Sequence, residues 1–446
     1  MDIAGLLPTF GGFFLTALAF LAALSVIVTV HEYGHYIVGR WSGIHAEVFS
    51  LGFGPTLWSR TDRHGTRWQV ASIPLGGFVK FLGDANAASA GADEAVVSQL
   101  SPKELRHTMH GAPLWARAAT VAAGPVFNFA LSLVLFAALA FWTGVATDAP
   151  TIGKLKDLPT GSYDILPGDT LLQVNGKDTP DWEQALDDLE SLPSTPSLPY
   201  LINRDGQVME VKGPAFYPPL ADVVAQESAG QAAGLQVGDV IISIDGAPVH
   251  TFSDLQEMVK AGQGAAVDLV VWRAGQEMPF RLTPKIADVP LPEGGFEKRY
   301  LIGLIGGPFF EPATRSVGAF EAVSLAGRQT WGVMTSAVSG IANLIVGNIS
   351  SCNMRGPLTI AKTSAHAASE GPSDFIWFIA FLSTAVGLLN LFPIPALDGG
   401  HLVFYCYEWA AGRPLPARAL NIFLTLGIFA VLAITLFGLS NDIFCP

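Results

Sequence analysis

The stretch Gly11-Gly-Phe-Phe-Leu-Thr-Ala-Leu-Ala-Phe-Leu-Ala-Ala-Leu-Ser-Val-Ile-Val-Thr-Val30 carries no charge and runs directly into His31-Glu-Tyr-Gly-His35. About 20 apolar residues are what an α-helix needs to cross the hydrocarbon core of a bilayer. Ionisable groups at that depth are costly and, where present, functional. At the end of this helix His31 and His35 stand at i and i+4, on one face, where two imidazoles can meet one metal ion. Glu32 sits beside them, placed to take a proton from an attacking water. Residues 1–10 hold one Asp and no Lys or Arg, and no small-residue cleavage site precedes His31. That is unlike a removable signal peptide, so the helix is expected to be retained.

The rest of the chain agrees with a membrane setting. Of 446 residues, 50% are hydrophobic and 14% charged, against about 25% charged in soluble domains. Mean hydropathy is +0.40. The length allows two or more domains. Three further uncharged runs, Ala118–Val145, Phe375–Phe392 and Ala419–Leu439, raise the expected spans to four. A net charge of −13 argues against a nucleic-acid partner, because phosphate binding needs a basic face. The cysteines, Cys352, Cys406 and Cys445, lack C-x-x-C spacing. Neither a thiolate zinc site nor a disulfide framework is expected from them.

Basic residues in short flanks orient such a chain. Arg40, Arg60, Arg63, Arg67, Lys80, Lys103, Arg106 and Arg117 lie between or beside the first two spans, and Arg413 and Arg418 between the last two. Both segments are therefore expected in the cytoplasm, with the termini and the long acidic segment after the second span outside.

That long segment, 148–290, contains a repeat. Leu166-Pro-Gly-Asp-Thr-Leu-Leu-Gln-Val-Asn-Gly176 matches Gln236-Val-Gly-Asp-Val-Ile-Ile-Ser-Ile-Asp-Gly246 at an offset of 70, and Trp182 matches Phe252. Each copy predicts a strand, a turn, a helix (Trp182–Ser191, Phe252–Ala261) and a further strand ending near Asn203-Arg-Asp-Gly206 or Trp272-Arg-Ala-Gly275. The copies resemble PDZ domains. Ala232-Ala-Gly-Leu-Gln-Val-Gly-Asp239 is similar to that family's signature, whereas the first copy lacks its Ala-Gly-Leu part. PDZ domains bind extended peptides at a sheet edge, so an extracytoplasmic peptide at the second copy is one expectation and a spacer or size filter the other. After the repeats, Val317–Ile349 reads as an amphipathic helix lying on the membrane rather than a fifth span, with an ordinary soluble helix packed on the repeats as the alternative.

A catalytic zinc takes three protein ligands. Asn390-Leu-Phe-Pro-Ile-Pro-Ala-Leu-Asp-Gly-Gly400 supplies the candidate, Asp398, at the end of an apolar run whose prolines and glycines break the helix. Broken backbone at that depth is tolerated only under protein cover or beside a water-filled cavity. Two histidines and one carboxylate also suit iron; the adjacent Glu32 favours zinc. His401 reads as an interfacial polar residue or an outer neighbour of the metal. His107 and His110 read as loop residues, and His64, His250 and His366 have no evident partner.

Together, H-E-x-x-H in the first helix and N-x-x-P-x-P-x-L-D-G-G in a later one resemble the site-2 protease family, and the two PDZ-like insertions resemble its bacterial regulator-of-sigma-E protease branch. Gly52-Phe-Gly-Pro-Thr-Leu-Trp58 and Ile73-Pro-Leu-Gly-Gly-Phe-Val-Lys80 resemble the family's re-entrant β-hairpin. Ala123-Gly-Pro-Val-Phe-Asn-Phe129 resembles its second-helix motif, and Gly356-Pro-Leu-Thr-Ile-Ala-Lys362 the segment before its third helix.

The resemblance implies a multi-pass α-helical membrane protein with four transmembrane helices, two inserted α+β PDZ-like domains and a cytoplasmic membrane-associated β-hairpin region. It implies Zn2+ held by His31, His35 and Asp398, Glu32 as general base, and Asn390 holding substrate or the developing oxyanion. The activity implied is intramembrane cleavage of single-span membrane proteins, an anti-sigma factor or remnant signal peptides, in the bacterial inner membrane with the active site near the cytoplasmic face. Lipid is the other expected partner.

The expected division begins with a first span at 1–40, a cytoplasmic, membrane-reentrant β region at 41–113 and a second span at 114–146. A degenerate PDZ-like domain follows at 147–215, a second at 216–290, and a linker with amphipathic helices at 291–372. The third span is expected at 373–400, a cytoplasmic loop at 401–418, and the fourth span and tail at 419–446. Two rivals remain: a catalytically silent PDZ-containing scaffold, and a transporter with a broken helix at an ion site. An intact ligand set counts against the first and the absence of an inverted repeat against the second.

Overall fold

The computed structural model describes residues 7–85, 93–159, 163–182, 192–291 and 296–445. The described residues form two compact units: 7–141 with 318–345 and 351–445, and 142–317 with 346–350. Each is described by itself.

In the first unit, the described residues contain four helices long and apolar enough to cross a membrane: Phe14–Trp41 within the helix Leu7–Trp41, then Leu114–Thr143, Pro372–Asn390 and Ala417–Phe444. The metal-site motif lies inside the first helix rather than at its end, because the helix continues beyond His35 to Trp41. The amphipathic segment forms a helix over Ala319–Val346. Its small Ala326 packs with Phe136 and Ala380 of two spanning helices.

Two glycines let the first two long helices cross closely. A Cβ on Gly34 would stand 2.5 Å from the carbonyl oxygen of Ala123, and one on Gly124 would stand 2.4 Å from His35 Nε2. A contact this tight at a helix crossing needs residues without side chains.

The expected hairpin forms from the strands Ala46–Thr61 and Arg67–Phe81, but its pairing is richer than one turn. Val48 and Leu51 lie opposite Arg67 and Val70, and also opposite Lys80 and Gly77; Thr56–Thr61 pairs separately with residues 67–71. Gly52, at φ 88°, allows the bend: a Cβ there would meet the Ile73 carbonyl oxygen at 2.7 Å. One end of this sheet is buried with Tyr36, Ile44, Met109 and Ala116. The other exposes Leu57, Trp58, Ile73 and Leu75.

Two further expectations about this unit need correction. The loop expected over 401–418 is helical from Asp398 to Ala411. Gly399 and Gly400 look like helix breakers, yet here they allow a helix start to press on the preceding loop: Cβ atoms there would meet the carbonyl oxygens of Leu391 and Ile394 at 2.3 Å. Second, Cys352 and Cys445 form a disulfide. Asn441 donates to the carbonyls of Ser351 and Met354, and Asp442 caps the helix Pro357–Glu370 by accepting from Gly356, Leu358 and Thr359. Spacing alone carries no sign of this pairing across 93 residues.

The second unit contains two four-stranded sheets of the same topology. One runs Lys177–Asp178, Thr170–Val174, Ser197–Arg204, Gln207–Pro214; the other Ala247–Pro248, Val240–Ile244, Val267–Arg273, Gln276–Leu282. The repeat extends to single atoms. Asp169 is clamped through both carboxylate oxygens by Arg204, and Asp239 by Arg273, at 2.6–2.7 Å. Asp169 also accepts from the backbone of Leu166, and Asp239 from Gln236, each at 2.8 Å. The Gly-Asp of the repeated sequence is thus a buried anchor for the later strand's arginine.

The second copy's helix spans Phe252–Ala261, as the pattern predicts, capped by Thr251 and Asp254. Its counterpart at Trp182–Ser191 lies outside the described residues beyond Trp182. The region expected as linker after residue 290 returns to the sheets: Phe310–Pro312 pairs with Ile152–Leu155 and Leu304–Ile305 with Val223–Val224. Phe309 and Phe310 complete the first core, and Ile302 the second.

Candidate metal centre

Two helices, Leu7–Trp41 and Asp398–Ala411, bring His31, His35 and Asp398 together. Asp398 is the first residue of the helix Asp398–Ala411, where the partial positive charge of a helix N-terminus favours a carboxylate. Its Oδ2 lies 3.2 Å from His31 Nε2 and 3.6 Å from His35 Nε2, and the two Nε2 atoms are 3.2 Å apart. A tetrahedral ion with bonds of about 2.0–2.2 Å has ligand-to-ligand edges of about 3.3–3.6 Å. The three atoms therefore form one face of a zinc-sized tetrahedron. Asp398 Oδ2 is buried and meets no donor in hydrogen-bonding geometry. Such an atom is expensive unless something else satisfies it, and a cation does.

The second long helix orients both imidazoles. His35 Nδ1 lies 2.9 Å from the carbonyl oxygen of Thr120 and can only donate to it, which leaves Nε2 free as a ligand. Nδ1 of His31 is 3.2 Å from the carboxamide of Asn128. Thr120, Gly124 and Asn128 are spaced i, i+4, i+8 and share one face of the helix Leu114–Thr143.

Glu32 accepts a hydrogen bond from the backbone N–H of Val79, on the outer edge of the strand that ends at Phe81. Gly77 permits this approach, since a Cβ there would stand 3.1 Å from Glu32 Cγ. A cavity of about 380 Å³ is lined by the three ligands, Glu32, Asn390, Gly77 and His401 among others. All five residues predicted as site residues thus face one cavity, with Asn390 as the last residue of its helix.

Arg117 forms a bidentate pair with Glu408 on the wall of the same cavity, and its guanidinium lies over the Tyr405 ring. Four other histidines have partners of their own, and one of them, His110, also lines the cavity. His107 Nδ1 contacts the Gly43 carbonyl, His110 lies 3.6 Å from Asp84, His64 contacts Arg40, and His366 lies 3.8 Å from Glu370.

Sequence reasoning missed Thr120, and it placed Gly124 and Asn128 in a second-helix motif without giving them a part in the site. One signal was available: Asn128 is the only carboxamide in the uncharged run Ala118–Val145. A buried amide in a span is a group that calls for a partner.

A helix-borne H-E-x-x-H completed by a distant carboxylate, among helices fit to cross a membrane, defines a membrane metallopeptidase. The model of Peptidase family M50 matches residues 19–434, and the chain belongs to that family. It is 34% identical to a Rhizobium meliloti protein named "Putative zinc metalloprotease", over 95% of each chain. It is also 34% identical to the "Regulator of sigma-E protease RseP" of Salmonella typhimurium, over 95% of this chain and 97% of that one. The chain is accordingly a metalloprotease, and zinc is the metal that the three ligands fit.

Proposed function

We propose that this protein is an endopeptidase that cuts peptide bonds within the transmembrane segment of single-span membrane proteins. The observation that carries the proposal is the place of the ligands: His31 and His35 belong to a helix fit to span a membrane, and Asp398 follows another. Zinc at these ligands supplies Lewis acidity for the scissile carbonyl and the attacking water. Glu32 takes the proton from that water and passes it to the leaving nitrogen. The Asn390 amide donates to the carbonyl oxygen as charge builds on it. An extended stretch of substrate adds to the strand edge at Gly77–Val79, taking the Val79 N–H that otherwise bonds Glu32. An unwound substrate is required because a helical peptide keeps its carbonyls bonded within itself.

The two repeated units are PDZ-like domains; their shared topology and shared Asp–Arg anchors support this. They select substrates by size or by a peptide bound at the second copy. The similarity to a regulator of sigma-E protease supports a membrane-bound anti-sigma factor as the substrate class. The termini and the PDZ-like units are assigned to the periplasmic side of a bacterial inner membrane, with the metal centre near the cytoplasmic face. Two independent observations support that orientation: the basic residues between the first two spans, and the Cys352–Cys445 disulfide, which persists in an oxidising compartment.

The test is Glu32→Gln in the full-length protein, with cleavage of a single-span reporter and bound zinc measured together. Loss of cleavage by at least about 100-fold with zinc retained is expected. Wild-type cleavage by the variant would overturn the assignment of the base and revive the scaffold alternative.

A further inference from the structure

We propose that Asn128 is a positioning residue for the metal centre: its carboxamide oxygen accepts the Nδ1 proton of His31 and so holds the tautomer whose Nε2 can bind zinc. The inference rests on the ligand assignment above. A neutral imidazole carries its proton on one nitrogen only. For Nε2 to offer a lone pair to zinc, the proton must sit on Nδ1 and must find an acceptor there. For His35 that acceptor is the Thr120 carbonyl. For His31 the group in reach is the Asn128 carboxamide, 3.2 Å away, with Nδ2 turned toward the ring.

In that rotamer the amide donates to Nδ1, which puts the ring proton on Nε2, among the other ligand atoms. It also leaves Asn128 Oδ1 buried with no partner. A half-turn of the amide exchanges oxygen and nitrogen at no cost in shape. It supplies the orphaned oxygen with a donor, moves Nδ2 to the position that oxygen held, and frees the His31 Nε2 lone pair for a metal ion.

The surroundings hold the residue in place. Asn128 is fully buried. Its own backbone carbonyl accepts from Ser132 Oγ at 3.0 Å and Ser383 Oγ at 2.9 Å, tying this turn to the helix Pro372–Asn390. A Cβ added to Gly387 would stand 3.1 Å from Asn128 Cβ, so the residue is clamped from the far side as well.

Two substitutions of nearly equal shape separate the acceptor role from the rest. Asn128→Asp keeps an acceptor toward His31 Nδ1 and loses the donor; Asn128→Leu loses both. Zinc affinity is measured on full-length protein in detergent by competition with a chelator. The Leu variant is expected to bind zinc about 10- to 100-fold more weakly, and the Asp variant as tightly as wild type or tighter. An Asp variant weakened as much as the Leu variant would mean that the amide acts as a donor, and would overturn the proposal. A Leu variant with wild-type affinity would do the same. If the Leu variant does not fold, the Asp variant decides alone, because the two amide roles predict opposite results for it. Asp398→Ala serves as the reference: if it also leaves zinc affinity unchanged, the ligand assignment fails, whereas its loss of zinc beside an unaffected Asn128→Leu refutes the positioning role only.

Discussion

Replacing Gly124 by alanine perturbs the metal centre without replacing a ligand or a catalytic group. The added Cβ would stand 2.4 Å from His35 Nε2, 2.5 Å from His35 Cε1 and 2.7 Å from His31 Cε1. Ordinary contact begins at 3.4 Å, so the rings must retreat or the helices must part by about 1 Å. Neither is easy. His35 is tied to Thr120, and His31 faces Asn128, both on the helix that carries the new methyl. On the opposing helix, Gly34 already sits against the Ala123 carbonyl. A misplacement of about 1 Å costs on the order of 100-fold in rate. Gly124→Ala is therefore expected to lower reporter cleavage by about two orders of magnitude and to weaken zinc binding, while helix content in detergent stays unchanged. Gly332→Ala, on the helix Ala319–Val346 with nothing within 4 Å of its added Cβ, is the control. Full zinc occupancy and a wild-type rate for Gly124→Ala would show that the two helices do not meet in this way.

Two further outcomes concern stability. Asp239 is fully buried and clamped by Arg273, so Asp239→Asn leaves a guanidinium without its counter-charge; a loss of about 3–5 kcal/mol is expected in denaturant unfolding of the second unit, and a loss under 1 kcal/mol would refute the anchor role. Cys445→Ser opens a loop closed across 93 residues; thermal unfolding should show a loss of about 2–4 kcal/mol, and non-reducing peptide mapping of the parent should recover Cys352 and Cys445 in one linked fragment.

The parts of this molecule legible in its sequence share a cause. Ionisable groups in apolar surroundings have few stable explanations, which is why His31, Glu32, His35 and Asp398 could be singled out although hundreds of residues separate the motif from Asp398. The repeat was legible because two copies must meet the same constraints: Asp169 and Asp239 recur since each fixes an arginine from a later strand. The misses have a cause too. Gly399 and Gly400 carry a local signal for broken helix, and only the nearby carbonyls of Leu391 and Ile394 show that their smallness serves packing. The Cys352–Cys445 bond depends on where the end of the last helix meets the start of another, which residue spacing does not record. Phe309 and Phe310 lie in a stretch that reads as linker, and their place in a core depends on a strand returning to Ile152–Leu155.

The same contrast explains how the metal centre is divided among the helices. The ligand helix supplies two imidazoles one turn apart, an arrangement that sequence periodicity alone can build. An imidazole ligand is incomplete without an acceptor for its second nitrogen, and water is scarce at membrane depth. The acceptors must then come from another helix, close enough that Gly124 has to lack a side chain. The third ligand carries the opposite requirement. A carboxylate without its metal needs electrostatic support, and Asp398 gains it by opening a new helix rather than ending an old one. The broken backbone from Leu391 to Leu397 exists to create that second N-terminus where the first two helices cross. On this view the prolines of the break are spacers for a helix start, and the N–H groups of Leu391, Phe392, Ile394 and Leu397 keep backbone bonds within the break while it places the Asp398 charge beside His31 and His35.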